Sequence, residues 1–128
     1  MIDPRRVLLI DDNDDHRSML ANALRARGWS VEIARDGQQG LAAAARCKPD
    51  LVVTELVLPD VRGFHFARAV RSIAGPDVFV IALTRLPKEL HGRALTSGFD
   101  HVQCKHGDIE DLHNRMLRMT IAWPRATG

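Results

Sequence analysis

The chain has 128 residues, a size typical of one domain, and 45% of them are hydrophobic, which is enough to build one core. Its formal charge is +2, from 18 Lys and Arg against 16 Asp and Glu, and these residues are spread along the chain rather than gathered in a basic block. This distribution argues against direct binding of nucleic acid.

The two cysteines, Cys47 and Cys104, lie far apart in the sequence and lack the spacing of metal ligands. We therefore expect reduced thiols in a cytoplasmic protein, with no disulfide. The first apolar run ends at Asp11 and is too short for a signal peptide, and no apolar stretch approaches the length of a membrane span. A soluble protein with no membrane partner is expected.

Five short apolar segments are candidates for strands. Each is rich in aliphatic or β-branched residues, a pattern typical of strands that are buried on both faces of a parallel sheet. The segments are residues 7–10, 31–34, 51–53, 78–83 and 101–104.

Segments with helical spacing of apolar residues follow the strand candidates. The last one is the clearest, because Ile109, Leu112, Met116 and Met119 recur at steps of three or four residues. The alternation of strands and helices, without a repeat or a linker, predicts an α/β fold with a doubly wound parallel sheet and helices on both faces. We expect one domain over residues 1–128, with a core at about 5–121 and a tail at 124–128.

Polar residues follow four of the strand candidates: Asp11 and Asp12, then Glu55, then Thr84, then Lys105. If the strand order is 2-1-3-4-5, the first and third strands are neighbours and their acidic residues share one crevice. Thr84 and Lys105 then form the far wall. Carboxylates suit a magnesium ion, while Lys and Thr suit the oxygens of a phosphoryl group.

The segment DLVVTELVLPDVRG, residues 50–63, resembles the signature of receiver domains of bacterial response regulators in two-component signalling. In that signature a strand ends in Asp and is followed by a loop of the type Leu-Pro-Asp-x-x-Gly. The acidic pair, Thr84 and Lys105 fall at similar separations, so the resemblance covers roughly residues 5–121. It implies a flavodoxin-like fold with five parallel strands in the order 2-1-3-4-5.

The resemblance also implies roles for individual residues. Asp11 and Asp12 match the acidic pair that binds magnesium together with the backbone carbonyl at Val57. Thr84 and Lys105 match the switch hydroxyl and the lysine that hold the phosphoryl oxygens. The implied partners are a sensor histidine kinase or a downstream signalling protein.

Glu55 stands where the family carries its phosphorylated aspartate. The extra methylene displaces the carboxylate by about 1.5 Å, and misplacements near 1 Å can cost about a hundredfold in rate. We expect the Glu55 carboxylate to lie within ion-pair reach of Lys105. Although Asp11 and Asp12 remain as ligands, magnesium binding is then expected to be weak or absent.

Two further positions depart from the family. His106 replaces the proline that usually follows the lysine, and Val102 replaces an aromatic residue that changes rotamer on phosphorylation. Arg62 stands where an acidic residue is frequent. The losses at Val102 and His106 weaken the switch and, together with Glu55, favour contacts that do not depend on phosphorylation. We expect a stand-alone, non-enzymatic receiver-like module that acts by protein contact.

Three alternatives remain open. The chain could be a phosphorylatable, switching receiver, or a flavodoxin-like cofactor-binding protein, although the acidic stretch DDNDDHRS would repel a cofactor phosphate. Leu117 and Ile121 lie off the main apolar face of the last helix and Trp123 follows them, and a homodimer through this helix is the third alternative.

Overall fold

The computed structural model describes residues 5–61 and 63–120, so Arg62, Ile121, Trp123 and the predicted tail lie outside the described residues. Five parallel strands form one sheet in the order β2-β1-β3-β4-β5, which confirms the predicted topology. The strands are β1 (Arg6–Ile10), β2 (Ser30–Ala34), β3 (Leu51–Thr54), β4 (Phe79–Thr84) and β5 (His101–Cys104).

Five α-helices alternate with the strands, as the sequence predicts. They are α1 (Asp14–Ala26), α2 (Gly37–Cys47), α3 (Phe66–Ala74), α4 (His91–Thr96) and α5 (Ile109–Thr120). The fourth is the shortest and follows a single 3-10 turn at Lys88–Leu90. Within the described residues, none of the helices combines the length and the apolar composition that a membrane crossing requires.

Polar caps and glycines set the helix ends. The Asn13 side chain accepts a hydrogen bond from the backbone N–H of His16 at 2.8 Å, so α1 begins at Asp14. After α3 and α4, Gly75 and Gly98 adopt φ values of 114° and 102°, which side chains of L residues rarely allow. These two glycines therefore allow the chain to turn where α3 and α4 end.

The core has two halves, one on each face of the sheet. On β1, Leu8 and Ile10 face the half that includes Phe66 of α3, whereas the alternate residues Val7 and Leu9 face the half that contains the buried side chains of α1 and α5. Because both faces are covered, the central strands are apolar at almost every position. Leu117 packs against the second half, so it is less available for a partner than the sequence suggested.

The loop after β3 is fastened to the start of α2. The Asp60 carboxylate accepts hydrogen bonds from the backbone N–H groups of Gly37 at 2.8 Å and Gln38 at 2.9 Å. A Cβ atom on Gly37 would lie 2.1 Å from Cγ2 of Val61, so this close approach requires glycine. Burial opposes ionisation of Asp60, but hydrogen bonds from the backbone N–H groups of Gln38, Gly37 and Asp60 itself together outweigh burial and lower the pKa of Asp60.

Asp60→Ala is expected to lower the free energy of unfolding by about 1 kcal/mol, the usual effect of losing a helix cap. Urea denaturation measures this, with Glu89→Ala as an exposed control. Because the pKa of Asp60 is lowered in the folded state, its contribution is present above the ordinary value of 3.8 and is lost as the pH falls through the lowered pKa. If the difference in unfolding free energy between wild type and Asp60→Ala stayed constant as the pH fell, the cap would not depend on the charge of Asp60.

Candidate functional site

The carboxyl ends of four strands gather Asp11, Glu55, Thr84 and Lys105 into one buried group, which we call the strand-end cluster. Each of the four residues is at most 4% exposed. Backbone hydrogen bonds hold the ends in register: the Glu55 N–H donates to Ile10 O at 3.0 Å, and the Lys105 N–H donates to Thr84 O at 2.8 Å. The sequence placed these side chains together because parallel strands end at the same edge.

Lys105 lies between the two buried carboxylates. Its Nζ is 2.8 Å from Oδ1 of Asp11 and 3.6 Å from Oε1 of Glu55. The predicted contact between Glu55 and Lys105 is therefore found, but the shorter contact is with Asp11. One ammonium group compensates two carboxylates that are both removed from water.

The other oxygen of Glu55 is bound by the chain itself. Its Oε2 accepts hydrogen bonds from the backbone N–H groups of Leu56 at 2.6 Å and Val57 at 3.2 Å. The longer side chain thus folds back over the loop that follows β3. With Oε1 facing Lys105, both carboxylate oxygens of Glu55 have partners.

Asp11 is surrounded by donors. Oδ1 accepts from the backbone N–H of Asn13 at 2.9 Å as well as from Lys105, and Oδ2 lies 2.5 Å from Nδ1 of His16. Burial alone would raise the pKa of Asp11, but the hydrogen bonds from Lys105, Asn13 and His16 outweigh burial and lower it. Asp11 is therefore ionised at neutral pH.

Arg17 joins the same loop, since its guanidinium donates to the backbone carbonyl of Asp11 at 2.8 Å and to Oδ1 of Asp14 at 2.6 Å. Sequence reasoning missed both His16 and Arg17 as site residues. The only signal was their place directly after an acidic run, and which side of α1 faces the strand ends cannot be judged from composition.

The predicted switch residues occupy different surroundings. Thr84 is fully buried, and its hydroxyl accepts a hydrogen bond from the Leu86 N–H at 3.2 Å. Val102 is half-buried on β5 and packs against the core half that contains Phe66. His106 is exposed. Only Thr84 of these three belongs to the strand-end cluster.

A cavity of about 250 Å³, which we call the Glu55 cavity, opens beside the cluster. It is lined by Asp12, Glu55, Val57, Arg85, Leu86 and Pro87. Asp12 is exposed, and the Val57 side chain points outward with 58% of the residue exposed. That Arg85 lines the Glu55 cavity was not predicted from the sequence, although its position directly after Thr84 was a signal.

Donors from the chain itself contact the oxygens of two of the acids in this arrangement. Magnesium needs oxygen ligands with free lone pairs in near-octahedral geometry, but the oxygens of Asp11 and Glu55 already face donors. Asp12 is the one acid of the predicted set outside these contacts. Across residues 5–61 and 63–120, no group of three or more His, Cys, Asp or Glu side chains is gathered to hold a metal. Weak or absent magnesium binding remains a prediction.

The family model described as response regulator receiver domain matches residues 7–117. The transcriptional regulatory protein TrcR of Mycobacterium tuberculosis is 36% identical over 115 residues, which are 88% of this chain and 44% of TrcR. The DNA-binding dual master transcriptional regulator RpaA of Synechocystis is 32% identical over 94% of this chain and 52% of RpaA. The chain spans about half the length of these curated relatives.

Solved structures agree with the fold. The chemotaxis protein CheY4 of Vibrio cholerae superposes with a TM-score of 0.81 at 28% identity, over 89% of this chain and 97% of CheY4. A two-component response regulator from Clostridium difficile superposes with a TM-score of 0.86 over 94% of this chain and 98% of that one, at 21% identity. The second likeness concerns the fold alone.

The expectation of no direct contact with nucleic acid is wrong. RpaA and the MtrA protein of Mycolicibacterium smegmatis are DNA-binding regulators, and TrcR is a transcriptional regulator. The even charge of these 128 residues says nothing about DNA binding by relatives that are roughly twice as long. A balance of charge excludes a basic patch only in the segment over which it is counted.

Proposed function

The chain belongs to the response regulator receiver domain family of two-component signalling, and we propose that within this family its contacts with partner proteins do not depend on phosphorylation. The observation that supports the proposal is the state of Glu55, whose two carboxylate oxygens are held by backbone N–H groups and by Lys105. This carboxylate stands where a receiver needs a free nucleophile.

Phosphoryl transfer to a carboxylate needs an oxygen lone pair aimed at phosphorus and a cation that holds the phosphoryl oxygens. In this chain, Oε2 of Glu55 accepts from Leu56 and Val57, so it is turned along the loop. The ammonium of Lys105 is engaged by Asp11 and Glu55. Neither the nucleophile nor the cation is available until several buried contacts break.

The same contacts bear on switching. The equilibrium between the two states of a signalling domain shifts only if a ligand or a modification stabilises one state more than the other. The ion pair between Glu55 and Lys105 is an internal contact that needs no ligand, and it favours one arrangement of the strand ends. We propose that the domain presents this arrangement constantly, as a contact module without substrate turnover.

Intact-mass spectrometry after incubation with acetyl phosphate and magnesium tests the proposal. We expect no added phosphoryl mass on the wild-type chain, whereas a receiver with aspartate at this position gains it in parallel. In a pull-down with a partner, the bound fraction is expected to be the same with and without phosphodonor. An adduct mapped to Glu55 would overturn the proposal.

One observation favours the alternative of a phosphorylatable, switching receiver: the Glu55 cavity of about 250 Å³ is large enough for a small phosphodonor. In that case the adduct forms and partner binding rises with phosphodonor in the same experiment. The flavodoxin-like alternative lacks a supporting observation, because the chain belongs to the receiver family.

A further inference from the structure

The imidazole of His16 contacts the carboxylate of Asp11 directly. Its Nδ1 lies 2.5 Å from Oδ2 of Asp11, and only 13% of the His16 side chain is exposed. Because the ionised Asp11 can only accept hydrogen bonds, Nδ1 carries the hydrogen of this contact. The opposite oxygen, Oδ1, is bound by Lys105 and Asn13.

Helix α1 fixes His16 in this place. The His16 backbone N–H donates to the Asn13 cap at 2.8 Å, so the residue is held in the first turn of the helix. The neighbouring Arg17 holds the carbonyl of Asp11 at 2.8 Å, which ties the loop to the same turn. Beyond the ring, Met19 and Leu20 help to line a cavity of about 210 Å³.

A buried carboxylate must be compensated by positive charge or by hydrogen bonds. A divalent cation can provide this compensation, but it then needs the lone pairs of Asp11. Here donors from the chain occupy both oxygens of Asp11, and His16 is the donor on Oδ2. A hard cation that binds Oδ2 must therefore compete with the imidazole, whose Nδ1 lies 2.5 Å from this oxygen.

We propose that His16 takes the place of a divalent cation on Asp11 and determines how weakly this site binds magnesium. The inference rests on the proposed function, since a site without a metal suits a domain that does not accept phosphate. It goes further by assigning the low affinity to one residue of α1 rather than to Glu55 and Lys105.

Isothermal titration with magnesium chloride alone, without phosphodonor, tests the inference. His16→Leu keeps an apolar side chain of similar size but removes the donor, and we expect magnesium to bind at least about tenfold more tightly, which is the effect of one charge-assisted hydrogen bond. His16→Asn is the matched control, because its amide nitrogen is attached at Cγ as Nδ1 is. This variant should bind magnesium as weakly as the wild type.

The inference is overturned if the wild type binds magnesium tightly, if His16→Leu gains nothing, or if His16→Asn gains as much as His16→Leu. His16→Ala replaces His16→Leu if circular dichroism shows that the leucine variant does not fold. The proposed function fails in a different experiment, if wild-type Glu55 is labelled by the phosphodonor. The metal titration contains no phosphodonor. Each hypothesis can therefore fail alone.

Discussion

Glu55→Asp is expected to become labelled by acetyl phosphate at a rate at least about a hundredfold above the upper limit that the unlabelled wild type sets, because misplacements of a reacting group near 1 Å cost about that factor. Aspartate is shorter by one methylene, so its carboxylate withdraws by about 1.5 Å from Nζ of Lys105. Space and positive charge for phosphoryl oxygens then become available beside the Glu55 cavity. Time-resolved intact-mass spectrometry with magnesium in excess measures the rate.

Glu55→Gln is the matched control, since glutamine keeps the length of the side chain and cannot act as a carboxylate nucleophile. We expect no labelling of this variant. If a folded Glu55→Asp protein is not labelled either, the position of the acceptor is not what prevents the reaction. Addition of His16→Leu to Glu55→Asp would then show whether the occupied oxygen of Asp11 is the remaining obstacle.

Lys105→Met is expected to lower the free energy of unfolding by about 3 kcal/mol at neutral pH, the scale found when one partner of a buried ion pair is removed. The ammonium is the shared partner of Asp11 and Glu55, and all three side chains are at most 4% exposed. Methionine fills a similar volume but leaves two carboxylates without that charge. Urea denaturation measures the loss.

The free energy of unfolding that Lys105→Met removes should become smaller as the pH falls. The pKa of Asp11 is lowered in the folded wild type, so the stability that it provides is present above the ordinary value of 3.8 and is lost as the pH falls through the lowered pKa. The difference between wild type and Lys105→Met therefore narrows in acid. Lys88→Met, at an exposed lysine, is the control and should change little. A loss equal to that of the control would show that Lys105 does not compensate the acids.

The strands were predictable because burial on both faces makes their residues apolar at nearly every position. On β3, all four residues are buried, and the sequence reads Leu-Val-Val-Thr there. The order of strands came from the family resemblance rather than from the apolar pattern. The extent of α4 was less predictable, because its apolar spacing is weak and the chain forms a 3-10 turn before it.

The cluster at the strand ends was also predictable, since topology alone brings Asp11, Glu55 and Lys105 to one edge. The roles of His16 and Asp60 were not. Their contacts depend on the rotation of α1 about its axis and on the path of a loop towards α2. Such features arise from packing between elements, which leaves little trace in local spacing.

The contact between Lys105 and Asp11 joins residues that are 94 positions apart in the chain. On the ribosome, the acidic side chains after β1 and β3 emerge well before the lysine that compensates them. A nascent chain can pair β1 with β2 and β3 early, but its strand ends stay electrostatically unbalanced until β5 docks on β4. Because closing so long a loop has a high entropic cost, we expect the site to be completed late in folding.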